Sequence, residues 1–127
     1  MILVDTNVFI DFARGYNPAK DFIFDTRNQL ATSVVCLMEY IRGTAKLTEA
    51  EKFEKFLVNR SVTIIHIDEA ISIKAYEIYK RWYHKVKLSY MDAIVLATAY
   101  TKKVRLFTRD VKHFSFYAGV KLICPYN

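Results

Sequence analysis

Glycine is scarce in this chain. Its three glycines, Gly15, Gly43 and Gly119, lie too far apart for a G-x-G-x-x-G turn or a G-x-x-x-x-G-K-[ST] phosphate loop, which excludes nucleotide binding by either route. Cysteine is scarcer still. Cys36 and Cys124, taken with His66, His84 and His113, form no C-x-x-C or H-x-x-x-H spacing, so neither a zinc site nor a disulfide framework is expected. Within Val34-Val35-Cys36-Leu37-Met38, Cys36 reads as a small buried hydrophobe carrying a reduced thiol. Long apolar runs are also missing. The longest stretch without Asp, Glu, Lys or Arg is residues 28–38, 11 residues, against about 18 for a membrane span. Asp5 interrupts the apolar start before a signal-peptide core could form. The expectation is a soluble protein of the cytoplasm with no membrane association, and no repeat, low-complexity tract or linker divides it.

What the chain does contain is 127 residues, 53% of them hydrophobic, enough for one closed core and a single domain over residues 1–127. Residues 1–4 read as a buried strand, Asp5-Thr6-Asn7 as the start of a helix that stops near Gly15, and Pro18 as the opening of a second helix to about residue 26. A strand over 29–35 leads into a helix over 36–41, closed by Gly43. Thr48-Glu49-Ala50-Glu51 has a capping-box pattern, with Phe53, Phe56 and Leu57 on the apolar face of a peripheral helix. Residues 62–67 form a strand, Asp68 caps a helix to about 85, and Ser89 caps another over 90–102. Short strands follow over 104–108 and 120–123. Strands alternating with helices predict an α/β fold with a parallel sheet covered on both faces.

Lys and Arg number 19 against 13 Asp and Glu, a net charge of +6 that favours a polyanionic partner. Most acids sit among lysines on helix faces, and Asp11, Asp21, Asp25 and Asp68 have surface or cap readings. Four others stand apart. Asp5 ends the first strand; Glu39 is the only charge between Arg27 and Arg42; Asp92 is the only charge between Lys87 and Lys102, on a helix apolar all round; and Asp110 follows the strand over 104–108 as Asp5 follows the first. Taken singly, Asp5 and Asp110 can be helix caps, Asp92 the reciprocal acid of a capping box with Ser89, and Glu39 the partner of Arg42. Caps do not explain why two acids lie beyond strand ends, where open α/β sheets place their sites, while two more lie in buried helices beginning at that edge. Two carboxylates about 4 Å apart repel by about 4 kcal/mol at an effective dielectric of 20. Four together call for shared protons or hard cations, and an all-oxygen ligand set suits Mg²⁺ or Mn²⁺.

At these residues the sequence resembles the PIN-domain ribonucleases, in particular the VapC-type toxins of toxin-antitoxin pairs. Ile2-Leu3-Val4-Asp5-Thr6-Asn7-Val8 resembles the family's opening strand and first acid, and Ser33 through Glu39-Tyr40-Ile41-Arg42-Gly43 its second segment. Asp92-Ala93-Ile94-Val95-Leu96-Ala97-Thr98-Ala99 resembles the third, and Phe107-Thr108-Arg109-Asp110 through His113-Phe114 the fourth. The resemblance implies a three-layer α/β/α PIN-like domain with a central, mainly parallel sheet. It also implies a catalytic quartet of Asp5, Glu39, Asp92 and Asp110 around Mg²⁺, with Mn²⁺ as a substitute, supported by Thr6, Asn7 and Thr108. His113 stands where some members carry a further acid, and by itself reads as a surface residue of the last loop.

The implied partners are an RNA substrate, an antitoxin protein and a second copy of the chain. Arg14, Arg42, Lys46, Arg109 and Lys112 flank the acidic segments as candidate phosphate contacts. Nine Tyr and nine Phe exceed what so small a core requires, which suits a dimer or antitoxin surface. Two other functions stay open at this point. A phosphotransferase using Asp5 as phosphate acceptor would want another acid where Asn7 stands, and a non-catalytic RNA-binding module would not need buried acids.

Overall fold

The computed structural model describes residues 1–127. In chain order the elements are β1 (Ile2–Val4), α1 (Thr6–Ala13), α2 (Asn17–Asp25), β2 (Leu30–Ser33), α3 (Val34–Arg42), α4 (Leu47–Asn59), β3 (Thr63–Ile65), α5 (Glu69–Val86), α6 (Tyr90–Lys102), β4 (Leu106–Phe107), α7 (Val111–Phe114) and β5 (Leu122–Ile123). The five strands form one parallel sheet in the order β3-β2-β1-β4-β5. The chain therefore builds outward from β1 in one direction and then returns to start again on its other side. The seam between β1 and β4 is the topological switch point, and open α/β sheets form their crevices at the carboxyl ends of the strands beside such a seam. Register there is Leu3 opposite Leu106 and Val4 opposite Phe107, and the Asp5 N–H continues the ladder to the Phe107 carbonyl at 3.0 Å.

The continuous apolar run at the start of the chain reflects a strand buried on both sides. Leu3, Ala31 and Leu106 enter one hydrophobic cluster with α5 and α6, whereas Ile2, Val4, Leu30 and Phe107 enter a second with α1, α2 and α4. The helices thus lie in two layers on the two faces, the α/β/α arrangement expected. Much of the phenylalanine surplus is absorbed in the second cluster, where Phe9 meets Phe53 with ring centroids 5.6 Å apart and Phe12 stacks on Phe56 at 4.6 Å. No helix is long and apolar enough to cross a membrane.

Local chemistry moves several boundaries. Ser33 is an N-cap whose Oγ accepts from the Val35 N–H at 3.2 Å, so the strand expected to reach residue 35 stops at Ser33 and α3 starts at Val34. The capping box expected at Thr48 does not form. Helix α4 begins at Leu47 with Lys46 as N-cap, Thr48 lies inside the first turn, and Glu49 instead reaches back to the Ala45 N–H at 3.1 Å. The two strands expected over 104–108 and 120–123 each shrink to two ladder residues. Asp68 and Ser89 cap as expected, accepting from the Ile71 and Asp92 N–H groups at 2.8 and 3.1 Å. A short helix, α7, occupies what reads in sequence as loop and carries His113.

Leu96, at 0% exposure on α6, and Val58, at 76% on α4, give a direct test of where stability resides. We expect Leu96→Ala to lower unfolding stability by about 3 kcal/mol and Val58→Ala to change it by less than about 0.5 kcal/mol, measured by urea denaturation.

Candidate active site

Asp5 is the first residue past β1, in an extended conformation that makes it the N-cap of α1. Its Oδ1 accepts from the Thr6 N–H at 2.8 Å, and its Oδ2 accepts from the Thr108 hydroxyl, also at 2.8 Å. Capping thus engages one oxygen and Thr108 the other, each oxygen keeping further acceptor capacity toward the site. Thr108, wholly buried just past β4, is a saturated hydroxyl: besides donating to Asp5 it accepts from Asn7 Nδ2 at 3.2 Å and from the Asp110 N–H at 3.0 Å. Asn7 Oδ1 in turn accepts from the Arg109 N–H at 3.3 Å. A threonine therefore ties the end of β1, the first turn of α1 and the loop after β4 into one unit.

Glu39 comes in from the middle of α3, and its Oε1 accepts from the Thr6 hydroxyl at 3.3 Å. The ion pair with Arg42 considered for it does not form. Asp92 sits in the first turn of α6, but its carboxylate does not complete a box with Ser89. It accepts instead from His113 Nε2 at 2.7 Å. Asp110 precedes α7, is exposed, and makes no side-chain cap bond.

These side chains line one open pocket of about 260 Å³ at the carboxyl edge of the sheet: Asp5, Thr6, Asn7, Glu39, Asp92 and Asp110, with Arg42 and His113 at its margins. Thr108 lies beneath. A larger cavity of about 400 Å³, lined by Tyr100, Arg105 and Lys121 among others near the amino ends of β4 and β5, contains no carboxylate.

Within the pocket, Asp5 and Glu39 have no ion-pair partner. Burial pushes the Asp5 carboxyl above its ordinary value, against the pull of the Thr108 and Thr6 hydrogen bonds, and the nearby Asp92 charge adds to the rise. Glu39 is raised by burial first and then by Asp5 and Asp92. Asp5, Glu39 and Cys36 each present a ligand atom within 4.8 Å of the others. Burial, reinforced by Asp5, pushes the Cys36 thiol up to about 12, so it remains a neutral group 3.8 Å from Asp5 Oδ1 rather than a thiolate. The two ligands of this group left to take a cation, Asp5 and Glu39, are therefore all oxygen, and no lysine or arginine is ion-paired to either of them or to Asp92 or Asp110 in the same pocket. That chemistry fits a hard divalent ion.

The PIN-domain profile matches residues 2–119. This chain belongs to the PIN-domain family. Over 126 residues it is 32% identical to Ribonuclease VapC10 of Mycobacterium tuberculosis, covering 95% of this chain and 91% of that protein. It is 28% identical over 114 residues to Ribonuclease VapC1 of Methanocaldococcus jannaschii, covering 89% and 78%. A solved toxin-antitoxin complex from Klebsiella pneumoniae contains a chain with 31% identity and a TM-score of 0.79, covering 100% of this chain and 99% of that one.

Within this PIN domain, four residues differ from their sequence readings. His113 is not a bystander in a loop but a partner of Asp92, brought there by α7. Cys36 packs as a hydrophobe, as expected, yet its thiol also faces Asp5. Asp11, given a surface or cap reading, is only 9% exposed and accepts from Arg109 Nη1 at 2.8 Å and the Tyr126 hydroxyl at 2.6 Å. Arg109 is consequently tied to Asp11, although its own side chain stays half exposed. Arg14, Arg42, Lys46 and Lys112 are exposed and form no ion pair. The one available sequence signal was spacing: Asn7 and Asp11 are four apart on α1 and share a face.

The raised carboxyls fix the sign of a pH effect. Because Asp5 and Glu39 bind protons more tightly folded than unfolded, their contribution to stability is full below the ordinary carboxyl range near about 4 and is lost as pH rises through their folded values. Asp68, whose carboxyl is lowered by the Ile71 N–H and Lys102, contributes with the opposite sign. The difference between proteins isolates the pocket. In metal-free buffer, lowering the pH from neutrality toward about 5 should raise the melting temperature of wild type relative to Asp5→Asn; parallel curves would contradict the assignment.

Proposed function

We propose that this protein is a metal-dependent endoribonuclease, the toxin of a toxin-antitoxin pair, acting in the cytoplasm through Asp5, Glu39, Asp92 and Asp110 and using Mg²⁺, or Mn²⁺ in its place. The observation that carries the reading is the meeting of four carboxylates, drawn from four separate segments, in one pocket at the switch point of a PIN fold. Relatives at 32% and 28% identity that bear the name ribonuclease, and a 31% identical chain in a toxin-antitoxin complex, support the substrate class and the partner.

The chain's own residues divide the task. Asp5, Glu39 and Asp92 would hold the ion, while Asp110, the most open of the four, would hold a second ion or position the attacking water. Thr108 and Thr6 fix the rotamers of Asp5 and Glu39 through the hydroxyl bonds described above. A bound divalent ion supplies a lowered pKa for water and positive charge opposite the phosphodiester. Arg42 at the pocket, with Arg14, Lys46 and Lys112 around it, holds the RNA backbone against the acids. The water oxygen forms the new bond to phosphorus as the bridging P–O bond breaks, and the proton that the water gives up is balanced by the one that the leaving oxygen takes up. The phosphotransferase reading is disfavoured because Asn7 stands where that chemistry wants another acid and Asp5 is 8% exposed. A purely RNA-binding module leaves Asp5, Glu39 and Asp110, none of them ion-paired, without a purpose.

Asn at position 5 keeps an oxygen for the Thr6 N–H and removes the charge. We expect Asp5→Asn to fold, to bind Mn²⁺ more weakly, and to lose about 100-fold or more of RNA cleavage, with wild-type cleavage abolished by EDTA. Full cleavage in excess EDTA would exclude the mechanism. The antitoxin is expected to lie across the same pocket and offer it a basic side chain. Leu47, Val58, Tyr76 and Tyr90 are each more than two-thirds exposed, which suits a homodimer; light scattering showing only monomer at every concentration would remove that part of the proposal.

A further inference from the structure

Asp110 has a demanding position and little of its own to hold it there. It is exposed, caps nothing with its side chain, and sits on a loop of three residues between β4 and α7. Its backbone N–H is held by Thr108, but the loop's outer side is held by groups remote from the acids. Arg109 points away from the pocket to Asp11 Oδ2 at 2.8 Å, and the same oxygen accepts from the Tyr126 hydroxyl at 2.6 Å. Asn7, one turn earlier on α1, takes the Arg109 N–H. The loop is thus gripped twice from a single helix face, by its backbone at Asn7 and by its guanidinium at Asp11.

Tyr126 closes the grip from the segment after β5. Its ring packs against the cluster of α1, α2 and α4 and lies 5.6 Å from the Tyr16 ring, while the Tyr16 hydroxyl donates to the Asn127 carbonyl at 3.2 Å. Burial and the Asp11 charge push the Tyr126 phenol above its usual range, which keeps it a donor. Hydrogen bonds to an ionised acceptor are the short, strong ones, and Asp11 receives two. Tyr126 also lies outside residues 2–119, the part matched by the family profile.

We propose that Asp11, Arg109 and Tyr126 form a clamp of positioning residues that holds the loop after β4 so that Thr108 and Asp110 stay aimed at the metal-binding pocket. The proposal rests on reading that pocket as the nuclease site. It also reassigns Arg109, half exposed but paired with the buried Asp11, from RNA contact to a brace for the loop. Outer partners of metal ligands ordinarily matter by about 10- to 100-fold in affinity or activity, and the clamp acts one residue further out, so the lower end applies.

Tyr126→Phe removes one hydroxyl, Asp11→Asn removes the charge, and Arg109→Ala removes the brace. Each is compared with wild type by calorimetric Mn²⁺ titration of the apo protein, by kcat and KM for RNA, and by binding of uncleaved RNA in EDTA. Expected are a loss of Mn²⁺ affinity and of kcat of about 10-fold for Asp11→Asn and Arg109→Ala and less for Tyr126→Phe, partial recovery of kcat in Arg109→Lys, and RNA binding unchanged in all. The Asp11→Asn/Arg109→Ala double variant should be no worse than either alone, because both break one unit. Wild-type Mn²⁺ affinity and kcat in folded Asp11→Asn and Tyr126→Phe would overturn the clamp. So would an Arg109→Ala defect confined to RNA binding, which would return Arg109 to the substrate. If wild type itself does not cleave RNA, the proposed activity fails while the Mn²⁺ titrations still decide the clamp.

Discussion

A single hydroxyl, that of Thr108, governs the geometry on which this PIN domain's pocket depends. It donates to Asp5 and accepts from Asn7 and the Asp110 backbone, so the ends of two adjacent strands and the start of the first helix move together or not at all. Buried polar networks of this kind rigidify only when every member is satisfied, and here the one donor and two acceptor positions of a hydroxyl are all used. Replacing the threonine with valine would keep the volume and forfeit all three bonds.

The sheet order explains why such a knot is possible. β1 is central, and β2 and β4 flank it as parallel neighbours reached by crossovers in opposite directions. At the seam between β1 and β4 the following helices diverge, which opens a crevice that no loop needs to fill. Asp5 and Thr108 leave the two strands on either side of that crevice, and α3 and α6 supply Glu39 and Asp92. The fold spends its packing energy elsewhere, in two apolar clusters on the sheet faces, and leaves an edge where like charges gather at a cost to stability.

That cost makes the pocket specific in its chemistry. Asp5 and Glu39, raised first by burial and then by neighbouring acids, favour protons or cations, and His113 bonds only Asp92. A buried thiol beside Asp5 stays neutral for the same electrostatic reason, so the site keeps an oxygen character despite having sulfur within reach. Arg42 lines the pocket without pairing to any of its acids, and Arg14, Lys46 and Lys112 are likewise exposed and unpaired.

Much of this was legible in the sequence because it is written in short-range pattern. The uninterrupted apolar run at β1, the alternation of strands and helices, and acids stranded in apolar surroundings at positions 5, 39 and 92 are each local, and each reflects a cost that only a parallel sheet or a polar cluster can offset. Asp110 needed the analogy between two strand ends. The parts that were not legible all involve partners far apart in the chain. Asp11 with Arg109 is 98 residues apart and with Tyr126 is 115, and nothing in the immediate neighbourhood of any of the three distinguishes it from a surface residue. His113 was read as loop because the four residues of α7 are too few to show a helical period, and its meeting with Asp92 depends on how that helix docks. Sequence alone determined which apolar runs must be buried and which acids within them are costly, since solvation is a property of each side chain and its neighbours. Only the tertiary structure decided which group satisfies which, because hydrogen-bond pairing depends on distances of a few ångströms between segments that the linear order leaves unconnected.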